Sequence, residues 1–197
     1  MSPDADIVET LRRDGFLSSS IEVRLHPLTG GVSSDVFRLD RPEGPVCVKR
    51  ALAALRVAAD WRAPVERSHF EVEWLRTARA FVGEAVPEVL FEDRAASLFV
   101  MSFYDPATHS VWKTDLAAGR VDERFAAQVG EMLAKVHSGA AGSSEIAARF
   151  QTTALFEDLQ LAPFLRHCAL AHPDLASLLV RLADRTAAAR ITLVHGD

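Results

Sequence analysis

The chain has 197 residues, 49% of them hydrophobic and 25% charged, with a formal net charge of −5. That is enough apolar chain for a sizeable core in one or two domains, and the interspersed, mildly acidic charge lacks the basic patch of a nucleic-acid binder. No apolar run approaches the roughly 18 residues of a membrane span, the acidic start MSPDAD is unlike a secretory signal, and two distant cysteines make no disulfide framework or paired metal site, so a cytoplasmic protein with no membrane or nucleic-acid partner is expected.

The first predicted element is a short amphipathic helix over 4–14, with Ile7, Val8 and Leu11 on one face and Gly15 as its stop. The strand-like IEVRLHPL then leads into the small-residue turn TGGVSSD. VFRL and VCVKR read as two antiparallel strands joined through DRPEGP. The spacing predicts a helix over 64–81, with Phe70, Trp74, Leu75 and Ala78 along one side. Pro64 suits its first turn, where a missing N–H is no loss. EVLFED and SLFVMSF supply two more strands around the turn RAA.

From Pro106 onward the pattern becomes helical. In VDERFAAQVGEMLAKVHSG, Phe125, Val129, Met132, Leu133 and Val136 recur at helical spacing, with Gly139 as the stop. FEDLQLAPFLRH reads as a shorter piece broken at Pro163. HPDLASLLVRLADRTAAAR reads as a strong helix with Leu175, Leu178, Leu179 and Leu182 turned inward, and ITLV as a short buried strand. Sheet first and helices second imply an α+β protein of two lobes, 1–104 and 105–197.

Four features then fall in a telling order. The Gly-Gly turn TGGVSSD lets main chain approach a phosphate closely, although any hairpin needs such a turn and the full G-x-G-x-x-G pattern is missing. Lys49 ends an apolar strand and shares a face with Cys47, while Val46 and Val48 share the other. A lysine there can pair the α- and β-phosphates of ATP with Cys47 beneath the adenine; alone, it equally reads as a solvated edge lysine. Glu71, on the following helix, is placed to orient that ammonium, with Glu73 as its rival. Asp197, in VHGD after an apolar strand, is placed to accept a proton from an attacking hydroxyl, as the aspartate of H-R-D does in protein kinases.

Taken together, LTGGVSSDVFRL, VCVKR, ERSHFEVEWLR, LFVMSFYD, GEMLAKVH and LVHGD resemble the aminoglycoside phosphotransferase family, with its protein-kinase-like fold, over nearly the whole chain. LRVAADWRAPVERSHFEVEWL is also similar to the loop and helix of methylthioribose kinases. The resemblance implies an N-terminal five-stranded antiparallel sheet with an inserted helix as the nucleotide-binding lobe, followed by an incomplete helical lobe. It implies that Gly30, Gly31 and Ser33 cover the ATP phosphates and that Lys49, oriented by Glu71, holds them. Backbone around Ser102 and Tyr104 in the hinge MSFY would bind adenine, and Asp197 would be catalytic. His195 would be a buried, hydrogen-bonded support of the loop, and His137 a packing residue at a helix end.

The family also carries an asparagine and a second aspartate after H-G-D, both binding Mg²⁺, for which this sequence holds no counterpart. The expectation is therefore a kinase transferring the ATP γ-phosphate to a small-molecule hydroxyl, present here as a truncated portion that does not turn over alone. Self-association through the incomplete lobe would accompany it. The alternative is a non-catalytic nucleotide-binding or pseudokinase module.

Overall fold

The structure, a computed structural model, describes residues 3–28, 31–57 and 61–195. Gly30 and Asp197 lie outside them. Helix α1 (Pro3–Arg13) precedes strands β1 (Arg24–Pro27), β2 (Ser34–Asp40) and β3 (Val46–Ala51). Helix α2 (Arg67–Val82) and a 3-10 turn (Gly83–Ala85) lead to β4 (Val89–Asp93) and β5 (Leu98–Ser102). The strands form one antiparallel sheet in the order β1-β2-β3-β5-β4. The expected α+β sheet-then-helix architecture is the one observed.

Strand alternation gives the sheet two covered faces. Phe37, Leu39, Val46, Val48, Leu98 and Val100 pack with Ile7 and Leu11 of α1. Phe99, with Met101 beside it, turns to the other face, against Val72, Leu75 and Ala78 of α2. The buried stripe of α2 is Ser68, Val72, Leu75 and Ala78, while Phe70 and Trp74, expected on the inner side, are only half-buried. Tertiary contact therefore rotated the buried side from the one the pattern suggested.

The remaining helices are α3 (Trp112–Ala117), α4 (Glu123–Ala140), α5 (Ser144–Arg149) and α6 (Thr153–Phe156), a π-helical stretch Glu157–Arg166, α7 (His167–Ala171) and α8 (Ala176–Ala188). Asp122 caps α4 by accepting from the Arg124 and Phe125 N–H groups. Helix α4 joins the second core through Val136 and Ala140, and α5 through Ile146.

Four expectations are corrected here. Gly139 does not stop α4 but lies within it: a Cβ there would sit 2.6 Å from Phe81 Cδ1, so the missing side chain lets α4 close on α2. Pro163 does not break its helix, because the wider π-helical turn runs through it into α7. The stretch is tied to α8 by Arg166, which bonds both Glu157 and Asp184.

At the N-cap of α8 and along it, Leu175, Leu178 and Leu182 are exposed and Ala183 is the buried residue, since among the described residues no further layer covers the leucine side. Finally, 191–194 forms no strand. Thr192 Oγ1 donates to the His137 carbonyl, Trp74 Nε1 donates to the Val194 carbonyl at 3.1 Å, and Leu193 enters the second core. Side chains thus hold this segment where a ladder was expected.

Candidate functional site

The central strand β3 positions the first functional group. In register, Lys49 lies opposite Val36 on β2 and Phe99 on β5, and Cys47 opposite Arg38 and Met101. These residues share the α2-facing side of the sheet. Glu71 lies on α2 between Ser68 and Leu75 of its buried stripe, so it points back at β3. Lys49 Nζ donates to Glu71 Oε1 at 2.6 Å, with side chains 23% and 38% exposed. A pair this open to water contributes only about 0–1 kcal/mol to stability. Its consequence is geometric: it fixes an ammonium at the mouth of a half-covered sheet face.

Glu73, the rival by sequence, points elsewhere. It bonds Arg76 at 3.1 Å and lies near Arg149. Residues 69, 73 and 76 share one face of α2, round the helix from Glu71. There His69, Glu73 and Glu92 of β4 have ligand atoms within 4.8 Å of one another. Arg76 already bonds both carboxylates, and His69 Nδ1 pairs with Glu92 at 2.9 Å. Burial pushes the Glu92 carboxyl up, but the bonds from His69 and Arg76 outweigh it and hold it below its ordinary value. The cluster is an ion-pair network that fastens α2 to β4, with a guanidinium where a cation would have to enter.

Beside Lys49 on this face lies Cys47. Burial pushes the Cys47 thiol up to about 11, against the opposing pull of the Lys49 charge, so it stays protonated at neutral pH. At the end of β5, Arg38 stacks over the Phe103 ring at 5.3 Å. Ser102, one of the two hinge residues named from sequence, commits its N–H to the Glu88 carbonyl and its Oγ to the Glu88 N–H. Tyr104 donates its hydroxyl to the Glu84 carbonyl and packs on His109.

The glycine turn is fastened from below. The Val32 carbonyl accepts from the Arg56 N–H at 2.8 Å, and the Ser33 carbonyl accepts from the Leu52 N–H at 3.0 Å. Arg67 also donates to the Ser33 carbonyl. A Cβ on Gly31 would lie 3.1 Å from the Ser34 carbonyl oxygen, closer than most side chains tolerate. Of the hydrogen bonds among the described residues, none is donated by the Val32 or Ser33 N–H. A turn whose carbonyls are tied inward suits an anion on its other side.

His195 is exposed, not buried as expected, with the Trp74 ring in an edge-on contact at 4.5 Å. His137 is the helix-end residue expected, its carbonyl accepting from Thr192. Sequence reasoning missed Asp35, buried and bonded to both Arg50 and Arg56, and Arg67. The one available signal for Arg67 was its place a single helical turn before Glu71.

The sequence profile of the phosphotransferase enzyme family matches residues 24–197. The chain belongs to that family. Its fold is accordingly protein-kinase-like, and the sheet with inserted helix is the N-terminal part of it. Among relatives of this family member, the chain is 30% identical to methylthioribose kinase 2 of Oryza sativa subsp. japonica over 67% of its length, covering 32% of that protein. It is 31% identical to the methylthioribose kinase of Yersinia enterocolitica over 66% of its length, covering 33% of that protein. The Pectobacterium carotovorum methylthioribose kinase is 32% identical over 66% of the chain, again with 33% of the relative covered. The chain thus spans about a third of the length of the curated relatives it matches.

An ATP triphosphate fits the described residues: an oriented ammonium and a protonated thiol lie on one side of the sheet, beside a turn whose carbonyls are tied inward. Among the described residues the only metal-ligand cluster is the Arg76-bridged one on the far side of α2. That cluster does not fit Mg²⁺ in contact with those phosphates, and no step is derived through the ion.

Proposed function

We propose that this chain carries the nucleotide-binding part of an ATP-dependent small-molecule kinase of the aminoglycoside-phosphotransferase type, which moves the γ-phosphate to a substrate hydroxyl. The observation that carries the reading is the 2.6 Å bond between Lys49 and Glu71, joining β3 to α2 across 22 residues beside the glycine turn. In this reading 1–104 is the nucleotide-binding lobe and 105–197 part of the helical lobe. Lys49 neutralises α- and β-phosphate charge, Glu71 keeps its ammonium in place, and the turn at Gly30, Gly31 and Ser33 takes phosphate on its N–H groups. Adenine lies over Cys47 and against the backbone after Ser102, toward Tyr104. Asp197 accepts the proton of the attacking hydroxyl. The relatives named methylthioribose kinases make methylthioribose the first acceptor to try.

Calorimetry of the chain with ATP tests this. We expect measurable binding that Lys49→Ala weakens about tenfold or more, the cost of losing a charged phosphate contact. Unchanged affinity in Lys49→Ala would remove Lys49 from the site. ATP binding without transfer to any hydroxyl acceptor would favour a non-catalytic nucleotide-binding module.

A further inference from the structure

Arg67 is the first residue of α2, and its guanidinium donates to four main-chain carbonyls. Nη1 reaches the carbonyls of Ala63 at 3.1 Å and Pro64 at 2.8 Å. Nη2 reaches Leu52 at 2.7 Å and, in a short contact, Ser33. Three pieces of chain meet on this side chain: the glycine turn through Ser33, the extension of β3 through Leu52, and the entry to α2 through Ala63 and Pro64.

The placement is costly by local rules. The N-terminus of a helix carries partial positive charge, so a cation in its first turn is disfavoured, and the first turn of α2 holds no acidic residue to offset it. Burial lowers the Arg67 pKa, with Glu71 and Glu66 pulling the other way. A position chosen for helix formation alone would favour an acid or a small capping side chain. What offsets the cost is the set of carbonyls, and only a planar fork with several fixed donors serves two pairs of them at once.

We propose that Arg67 is a positioning residue of the nucleotide site. It locks the turn that receives phosphate to the helix that carries Glu71, so that turn, Lys49 and Glu71 are held as one unit. This rests on the nucleotide-binding reading above. Glu71 follows Arg67 by one helical turn on the same side of α2, and Lys49 lies on β3, whose extension includes Leu52. The Ser33 carbonyl is held inward by Arg67 and by the Leu52 N–H together. Without the guanidinium the turn keeps its strand bonds but loses its link to α2.

The test compares Arg67→Ala and Arg67→Lys with the unaltered 197-residue chain. Calorimetry reads the affinities for ATP and for adenosine, and amide hydrogen exchange reads Leu52 and Arg56, whose N–H groups bond the Ser33 and Val32 carbonyls of the turn. Arg67→Ala is expected to weaken ATP binding about tenfold or more, leave adenosine binding unchanged, and speed exchange at Leu52 and Arg56 but not in β2 beyond Val36. Arg67→Lys, keeping charge but not the fork, should fall between. Equal weakening of ATP and adenosine would mark Arg67 as merely structural and overturn the proposal. So would unaltered exchange at Leu52 and Arg56. Should the alanine variant lose the sheet's slow exchange, Arg67→Lys carries the same comparison. If the unaltered chain binds ATP and the variants match it, only the role of Arg67 falls. If the unaltered chain binds no ATP, the nucleotide reading falls and takes this role with it.

Discussion

The residues before Phe103 and those after it treat their apolar side chains differently. The largest fully buried side chains are Phe99, Ile7, Leu11, Leu39, Leu98, Val48, Val72 and Val100, all in the sheet half. In the helical half Leu170 is 80% exposed, Val121 73% and Phe164 64%. The two halves are similarly apolar, so composition does not explain the contrast. A sheet presents two faces, and here α1 covers one and α2 the other, so both parities of each strand find cover. A helix buries one stripe only where another layer lies against it. Helix α8 meets the π-helical stretch and α7 but shows Leu175, Leu178 and Leu182 to solvent.

Three substitutions sharpen or break that contrast. Phe99→Ala removes the largest side chain shared between sheet and helices and should cost about 3–5 kcal/mol, read by urea unfolding. A loss under about 1 kcal/mol would mean that the second core is loosely packed and the contrast overstated. Gly139→Ala should cost about 1–3 kcal/mol by driving a Cβ into the Phe81 ring, even after a gain of up to about 1 kcal/mol in helix propensity. Net stabilisation in the same measurement would show that α4 does not close on α2 as described. Leu178→Gln, on the exposed side of α8, should change stability by no more than about 0.5 kcal/mol. A larger loss would place that leucine stripe against something in solution.

The fold of the first half was legible from the chain because strands announce themselves twice, by alternation and by their turns. Val46 and Val48 against Cys47 and Lys49 divided between two faces as alternation requires, and the Gly44 turn closed β2 on β3. The second half was less legible. Its helices showed their period, but period alone does not say whether a second surface lies opposite the stripe. Helices α3 and α5 went unread, being too short to show a period.

For the candidate site the sequence supplied the residue types and their order, and the fold chose among them. Glu71 and Glu73 are equivalent to any count along the chain. Only the packing of α2 on β3 turned Glu71 to Lys49 and left Glu73 to Arg76. Arg67 looked like one surface arginine among many until the fold brought the Ser33 and Leu52 carbonyls to it. Gly139 looked like a helix stop until Phe81 arrived beside it. Local chemistry and periodicity fix which way a side chain points from its own element. What it meets there depends on segments distant in sequence, and that was decided by tertiary packing alone.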